Sequence, residues 1–187
     1  QRQMCIRDRN NASNLFSVQH IVNFFKSKNR KVSYDTLSNY LGYIEEAFLA
    51  YKTERYNIKG KDVVAGNCKY YLNDLSFKNF LYPGFAYGVG YLLENAVYLE
   101  LRRLGYIVYT GSFRDKEVDF VAMKDDRVIY LQATYMLETA QTMEREYAPL
   151  LTIGDNYEKY VVSMDEVQFP SNEGVRHIQA WNLKEIL

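Results

Sequence analysis

Lys116-Glu117-Val118-Asp119-Phe120-Val121-Ala122-Met123-Lys124-Asp125-Asp126-Arg127-Val128-Ile129-Tyr130-Leu131-Gln132-Ala133-Thr134-Tyr135 is the stretch on which the fold turns. It reads as two strands, Glu117 to Met123 and Arg127 to Tyr135, joined at Asp125-Asp126. Period two puts Glu117, Asp119 and Val121 on one face, and Val128, Tyr130, Gln132 and Thr134 on one face of the next strand. On the N-terminal side, Val89 to Leu104 is a helix that is apolar nearly all round, closed by Gly105, and Tyr106 to Thr110 is a strand. On the C-terminal side, Leu137 to Leu151 reads as a helix, Tyr160 to Met164 as a strand and Ile178 to Leu187 as a short closing segment. Helix, three strands, helix, strand is the order of an α/β sandwich.

Further upstream, Ser13 is placed to cap a helix carrying Leu15, Val18, Ile21, Val22 and Phe25. Ser33 is placed to cap a second with Leu37, Leu41, Ile44 and Phe48. Phe48 to Tyr56 and Lys69 to Leu72 read as strands around a turn at Asn57–Lys61. Two helices and a hairpin is the order of a winged helix. Tyr82-Pro83-Gly84 then marks a boundary, giving a winged-helix-like module over 10–75 and an α/β domain over 76–187. Met4-Cys5-Ile6-Arg7-Asp8-Arg9 has no apolar period and no cap. It resembles the translation of a transposase adaptor used in sequencing libraries, so residues 1–9 are expected to stand outside the fold, as that artefact or as a disordered terminus.

Composition narrows the function classes. The 187 residues carry 23 basic and 23 acidic side chains, so the chain as a whole is no polycation for nucleic acid. The charge is uneven: 10–75 holds nine Lys/Arg against six Asp/Glu (+3), and 76–187 holds eleven against sixteen (−5). No apolar run is long enough to span a membrane. Cys5 and Cys68 make no disulfide framework, which fits a reducing cytoplasm, and with His20 and His177 they lack zinc-site spacing. No Gly-x-x-x-x-Gly-Lys-Ser/Thr phosphate cradle is present.

Glu94 stands charged within an apolar helix and needs a partner or a cation. Glu94, Asp119 and Gln132 together offer three oxygen donors, which suits Mg²⁺. Plainer uses exist for each: Glu94 paired with Arg102 or Arg103, Glu117 and Asp119 on a solvated strand edge, Gln132 satisfying backbone groups. If the second helix enters DNA, Ser38, Asn39 and Tyr43 face bases while Lys59 and Lys61 form the wing. That helix has no Lys or Arg and ends in Glu45-Glu46, which favours a protein-packing module over a DNA reader.

The segments Gly90-Tyr91-Leu92-Leu93-Glu94-Asn95, Lys116 to Val121 and Tyr130 to Tyr135, with Lys69-Tyr70-Tyr71-Leu72-Asn73-Asp74, resemble the PD-(D/E)XK nuclease superfamily. More closely, they resemble the C-terminal region of bacterial and archaeal AAA-type ATP-binding proteins, where a winged helix joins an upstream ATPase to a nuclease-like, restriction-endonuclease-like domain. The resemblance implies metal ligands at Glu94, Asp119 and Gln132, and an upstream ATPase domain as the ATP-binding partner. It also puts Thr134 where nucleases carry the catalytic lysine. Threonine has no charge to offset a phosphate, and losing one such group costs a factor of about 100 to 1000 in rate. Lys116, from the neighbouring strand, is the stand-in cation. The expectation is a non-catalytic recognition or regulatory module with a degenerate nuclease fold; the alternatives are a Mg²⁺-dependent deoxyribonuclease and a DNA-binding adaptor.

Overall fold

The computed structural model describes residue 15, residues 17–81 and residues 88–187. The adaptor-like residues 1–9, the Ser13 cap and the Tyr82-Pro83-Gly84 boundary lie outside the described residues. The elements are α1 (Val18–Ser27), α2 (Tyr34–Glu46), β1 (Ala50–Asn57), β2 (Asp62–Leu72), α3 (Ser76–Leu81), α4 (Val89–Arg103), β3 (Ile107–Phe113), β4 (Lys116–Lys124), β5 (Arg127–Ala133), α5 (Ala140–Leu151), β6 (Glu158–Ser163) and β7 (Val175–Gln179), followed by a 3₁₀ turn at Ala180–Glu185. Ser17 caps α1, its hydroxyl accepting from the His20 N–H, and Ser33 caps α2 through the Thr36 N–H.

The fold is mixed α/β, with one seven-stranded sheet in the order β2-β1-β3-β4-β5-β6-β7. β1 pairs antiparallel with β2 and parallel with β3, so the hairpin expected to be a wing is built into the main sheet. A boundary at residue 75 leaves the paired strands β1 and β3 on opposite sides of it. β7, read from sequence as part of a closing segment, pairs parallel with β6. Its His177 is buried: Nδ1 accepts the Phe169 N–H, and Nε2 donates to Ser163 Oγ, which in turn donates to Asp165. This network pins the 164–174 connection to the sheet edge.

Each face of the sheet is covered by a helix. Leu93, Val97, Tyr98 and Leu101 of α4 pack on Tyr71, Val108, Phe120, Ala122, Ile129 and Leu131. Tyr147 and Leu150 of α5 pack on Val118, Val121, Tyr130 and Val161. Each such side chain, fully buried, contributes roughly 1.5–3 kcal/mol. α1 and α2 contain no buried residue. They meet the remainder where Leu41 and Ile44 pack against Ala50, Cys68 and Tyr70.

The register of β3 on β4 shifts between Tyr109↔Val121 and Gly111↔Val118, so Thr110 faces both Asp119 and Phe120. This bulge corrects the simple alternation expected for β4. Val118 and Val121 share the α5 face, while Phe120 and Ala122 share the α4 face. Gly111 makes room for it: a Cβ there would lie 2.8 Å from Val121 Cγ2 and 3.0 Å from Val118 Cβ. Gly111→Ala is therefore expected to destabilise the protein by roughly 1–3 kcal/mol in urea unfolding, the usual cost of overpacking. An unchanged midpoint would show that the bulge has slack.

Candidate functional site: a lysine enclosed by carboxylates

A lysine that the sequence reading placed in the hairpin holds the centre of the site. Lys69 of β2 is buried, with its Nζ 2.7 Å from Glu117 Oε1, 3.0 Å from Glu94 Oε1 and 3.9 Å from Asp119 Oδ1. Three local features bring these groups together. Asn95, fully buried, clamps β2 to α4: its Nδ2 donates to the Leu72 carbonyl at 2.8 Å and its Oδ1 accepts the Leu72 N–H at 2.9 Å. That bond sets Glu94, the residue before Asn95, opposite Lys69 and Tyr71. Tyr71 donates its hydroxyl to Glu94 Oε1 at 2.7 Å, and its ring stacks on Tyr98 at 4.2 Å. The β4 bulge then aims Asp119, whose Oδ2 accepts the Ala133 N–H at 2.9 Å.

The electrostatics follow from burial and count. Burial alone would make Lys69 give up its proton more easily, but Glu94, Asp119 and Glu117 outweigh it and raise its pKa above the ordinary lysine value. Lys69 is therefore a fixed cation. Burial pushes the Asp119 carboxyl up to about 8, with Glu94 adding to the rise while Lys69 and the Ala133 N–H oppose it. The Tyr71 phenol is held protonated by burial and by Glu94.

The other expected site residues divide. Glu94 and Asp119 come together around Lys69, and Glu94 pairs with Lys69 rather than with Arg102 or Arg103; Arg103 is bound to Glu100. The Gln132 amide is occupied elsewhere: its Oε1 accepts the Asp119 N–H at 3.3 Å, and its Nε2 donates to Glu146 of α5 at 3.1 Å. Lys116, expected as the stand-in cation, is not brought to the carboxylates by the structure. Its Nζ donates to the Ala148 carbonyl at 3.5 Å, and it lines a cavity of about 700 Å³ with Tyr147, Leu151 and Phe169. Thr134 is buried just past β5, its N–H donating to the Val162 carbonyl. Lys69 itself was legible by the rule applied to Glu94, since it is a lone cation beside the apolar run Tyr70-Tyr71-Leu72.

The donor set does not fit Mg²⁺ as arranged. Glu94 Oε1 is taken by Lys69 and Tyr71, the Gln132 oxygen by a backbone N–H, and an ammonium already stands among the carboxylates. Among the described residues no group of three or more His, Cys, Asp or Glu is arranged to hold a metal ion.

The proposed nucleic-acid residues are not gathered either. Ser38, Asn39 and Tyr43 are exposed on α2. Lys59 and Lys61 sit at the far tip of the β1–β2 hairpin, roughly 23 Å along the strand from where α2 packs at Ala50. Among the described residues no helix is long and apolar enough to cross a membrane.

Two curated proteins are similar to the chain. An uncharacterized protein of Haemophilus influenzae is 35% identical over 153 residues, covering 82% of this chain and 38% of that protein. An uncharacterized protein of Methanocaldococcus jannaschii is 33% identical over 138 residues, covering 72% of this chain and 30% of that protein. The chain thus spans about a third of the length of the curated relatives it matches. No family model matches the sequence. No solved structure matches it.

Proposed function

We propose that this chain is the non-catalytic recognition or regulatory portion of a longer AAA-type ATP-binding protein, in which a winged-helix-like helix pair precedes a PD-(D/E)XK nuclease-like domain. The observation that carries this reading is Lys69. Its buried ammonium sits within 4 Å of Glu94, Glu117 and Asp119, where a hydrolytic metal would need to be. Thr134 at the lysine position supports the same conclusion, because a neutral hydroxyl brings no positive charge to offset developing phosphate charge. The carboxylates have become internal partners of a structural cation. ATP binding belongs to a part of the protein beyond this sequence, in keeping with relatives of which the matched stretch makes up 38% and 30%.

One observation favours a second reading. The cluster holds three carboxylates to one ammonium, and Lys69 is closest to Glu117, so Lys69 is also placed to be a relocated nuclease lysine. Plasmid and oligonucleotide cleavage with Mg²⁺ or Mn²⁺ separates the two, using the wild type beside Asp119→Ala, Lys69→Met and Thr134→Lys. Silence from all four is expected. Wild-type cleavage lost in both Asp119→Ala and Lys69→Met would establish a deoxyribonuclease with Lys69 as its cation.

A further inference from the structure

A cationic surface lies outside the site just described. Lys26, Lys28, Arg30 and Lys31 fall at the end of α1 and in the link to α2, and all four are exposed. Among the described residues none of them is in an ion pair. From Ser17 to Ile44 the only acidic residue is Asp35, which leaves four cations against one carboxylate, +3. The cations surround an open groove of about 630 Å³, walled by Val22 and Val32 and rimmed by Lys26, Arg30 and Lys31. Tyr34 follows Ser33, which lines the groove, and is half exposed. Phe24 is also exposed, with the Lys28 ammonium 5.8 Å above its ring.

Glu45 and Glu46 are at the opposite end of α2, about 18 Å along the axis from Tyr34. That exceeds the Debye length of about 8–10 Å at ordinary salt. Glu45 also accepts the Tyr70 hydroxyl at 2.6 Å, which turns it toward β2. The two carboxylates that argue against laying α2 along a duplex therefore do not screen the α1–α2 junction.

We infer that this junction binds a single-stranded nucleic-acid segment, with Lys26, Arg30 and Lys31 on successive phosphates and Tyr34 stacking on a base. A basic groove flanked by exposed aromatic rings is the combination that holds single strands without reading their sequence. Duplex insertion is disfavoured because α2 carries no cation along its length. An acidic peptide would use the charge but leave Tyr34 idle. The inference goes beyond the enclosed-lysine reading and shares no residue with it.

The test is fluorescence anisotropy with a labelled 15-mer of oligo-dT, at several salt concentrations. The wild type is expected to bind with a log–log salt slope of about −2 to −3, the value for three to four phosphates on a single strand. Lys26→Ala/Arg30→Ala/Lys31→Ala is expected to weaken binding at least tenfold at low salt and to flatten the slope by about 2. Tyr34→Ala is expected to weaken it about fivefold with the slope unchanged. All four positions are exposed, so circular dichroism should show unaltered folding. Lys184→Ala, at an exposed cation of the 3₁₀ turn outside both sites, should bind like the wild type, which separates the groove from general surface charge. Unchanged affinity in the triple variant overturns the inference. So does tighter binding of a duplex of equal length, or equal competition by polyglutamate together with a silent Tyr34→Ala.

Discussion

Lys69→Met is expected to lose about 3–5 kcal/mol of unfolding free energy at pH 7–8, the usual cost of removing one partner from a buried ion pair. Methionine fills a similar volume, so packing is nearly kept and the loss is electrostatic. Glu94, Glu117 and Asp119 would be left around an apolar side chain, with only the Tyr71 hydroxyl and the Ala133 N–H to accept from. The loss should shrink as the pH falls and the carboxylates take up protons. Urea unfolding of the two proteins at pH 5 and pH 8 checks both features. A loss under about 1 kcal/mol at pH 8 would place Lys69 in the class of surface pairs, and the enclosed-lysine account of the site would fail.

The second large effect has the opposite sign. Asp119→Asn is expected to stabilise the protein by a few kcal/mol at pH 8 and to flatten its stability profile between about pH 4 and pH 8. In the folded protein burial raises the Asp119 pKa from 3.8 to about 8, so across this window the folded state keeps a proton that the unfolded chain has released. Stability tied to that proton is fully present below pH 3.8 and is lost as the pH rises through 8. Lys69 does not blur the window. Its raised pKa contributes stability that is intact below 10.5 and is lost only above it. An asparagine Oδ1 can still accept the Ala133 N–H. Melting temperatures against pH for the two proteins decide the matter, and parallel curves would mean that Asp119 ionises without cost in the fold. A gain on removing Asp119 would fit a site shaped by an ancestral chemistry rather than by stability.

Much of this architecture is local, and local patterns are visible in a sequence. The turn at Asp125-Asp126, the cap at Ser33 and the apolar spacing of α4 and α5 each depend on neighbours within a few residues, and each lies where periodicity puts it, except that α5 starts at Ala140 behind a Thr139 cap rather than at Leu137. Glu94 and Asp119 were visible for a related reason. A charge set into an apolar helix, or into a strand whose neighbours are all buried, must be answered by something, so its isolation is itself a signal.

What answers it is a tertiary matter. Lys69 is 25 residues from Glu94 and further still from Asp119, and it reaches them only because β1 pairs parallel with β3 and brings the hairpin into the main sheet. No period within β1 or β2 specifies that pairing, which is why the hairpin resembles a free wing when read alone. The β4 bulge is hidden in the same way. Alternation predicts Val121 beside Asp119, and only the contact of Gly111 with Val118 and Val121 shows that one residue has been added to the strand. By itself the sequence determined the isolated charges at Glu94 and Asp119 and the helix or strand character of α1, α2, α4, α5, β1 and β3 to β6, because those follow from short-range propensity and burial; it did not mark β7 as a strand, nor β2 over its full length. Long-range strand order decided which cation fills the carboxylate cluster, because pairing energy is spread over whole strands and leaves no mark at a single position.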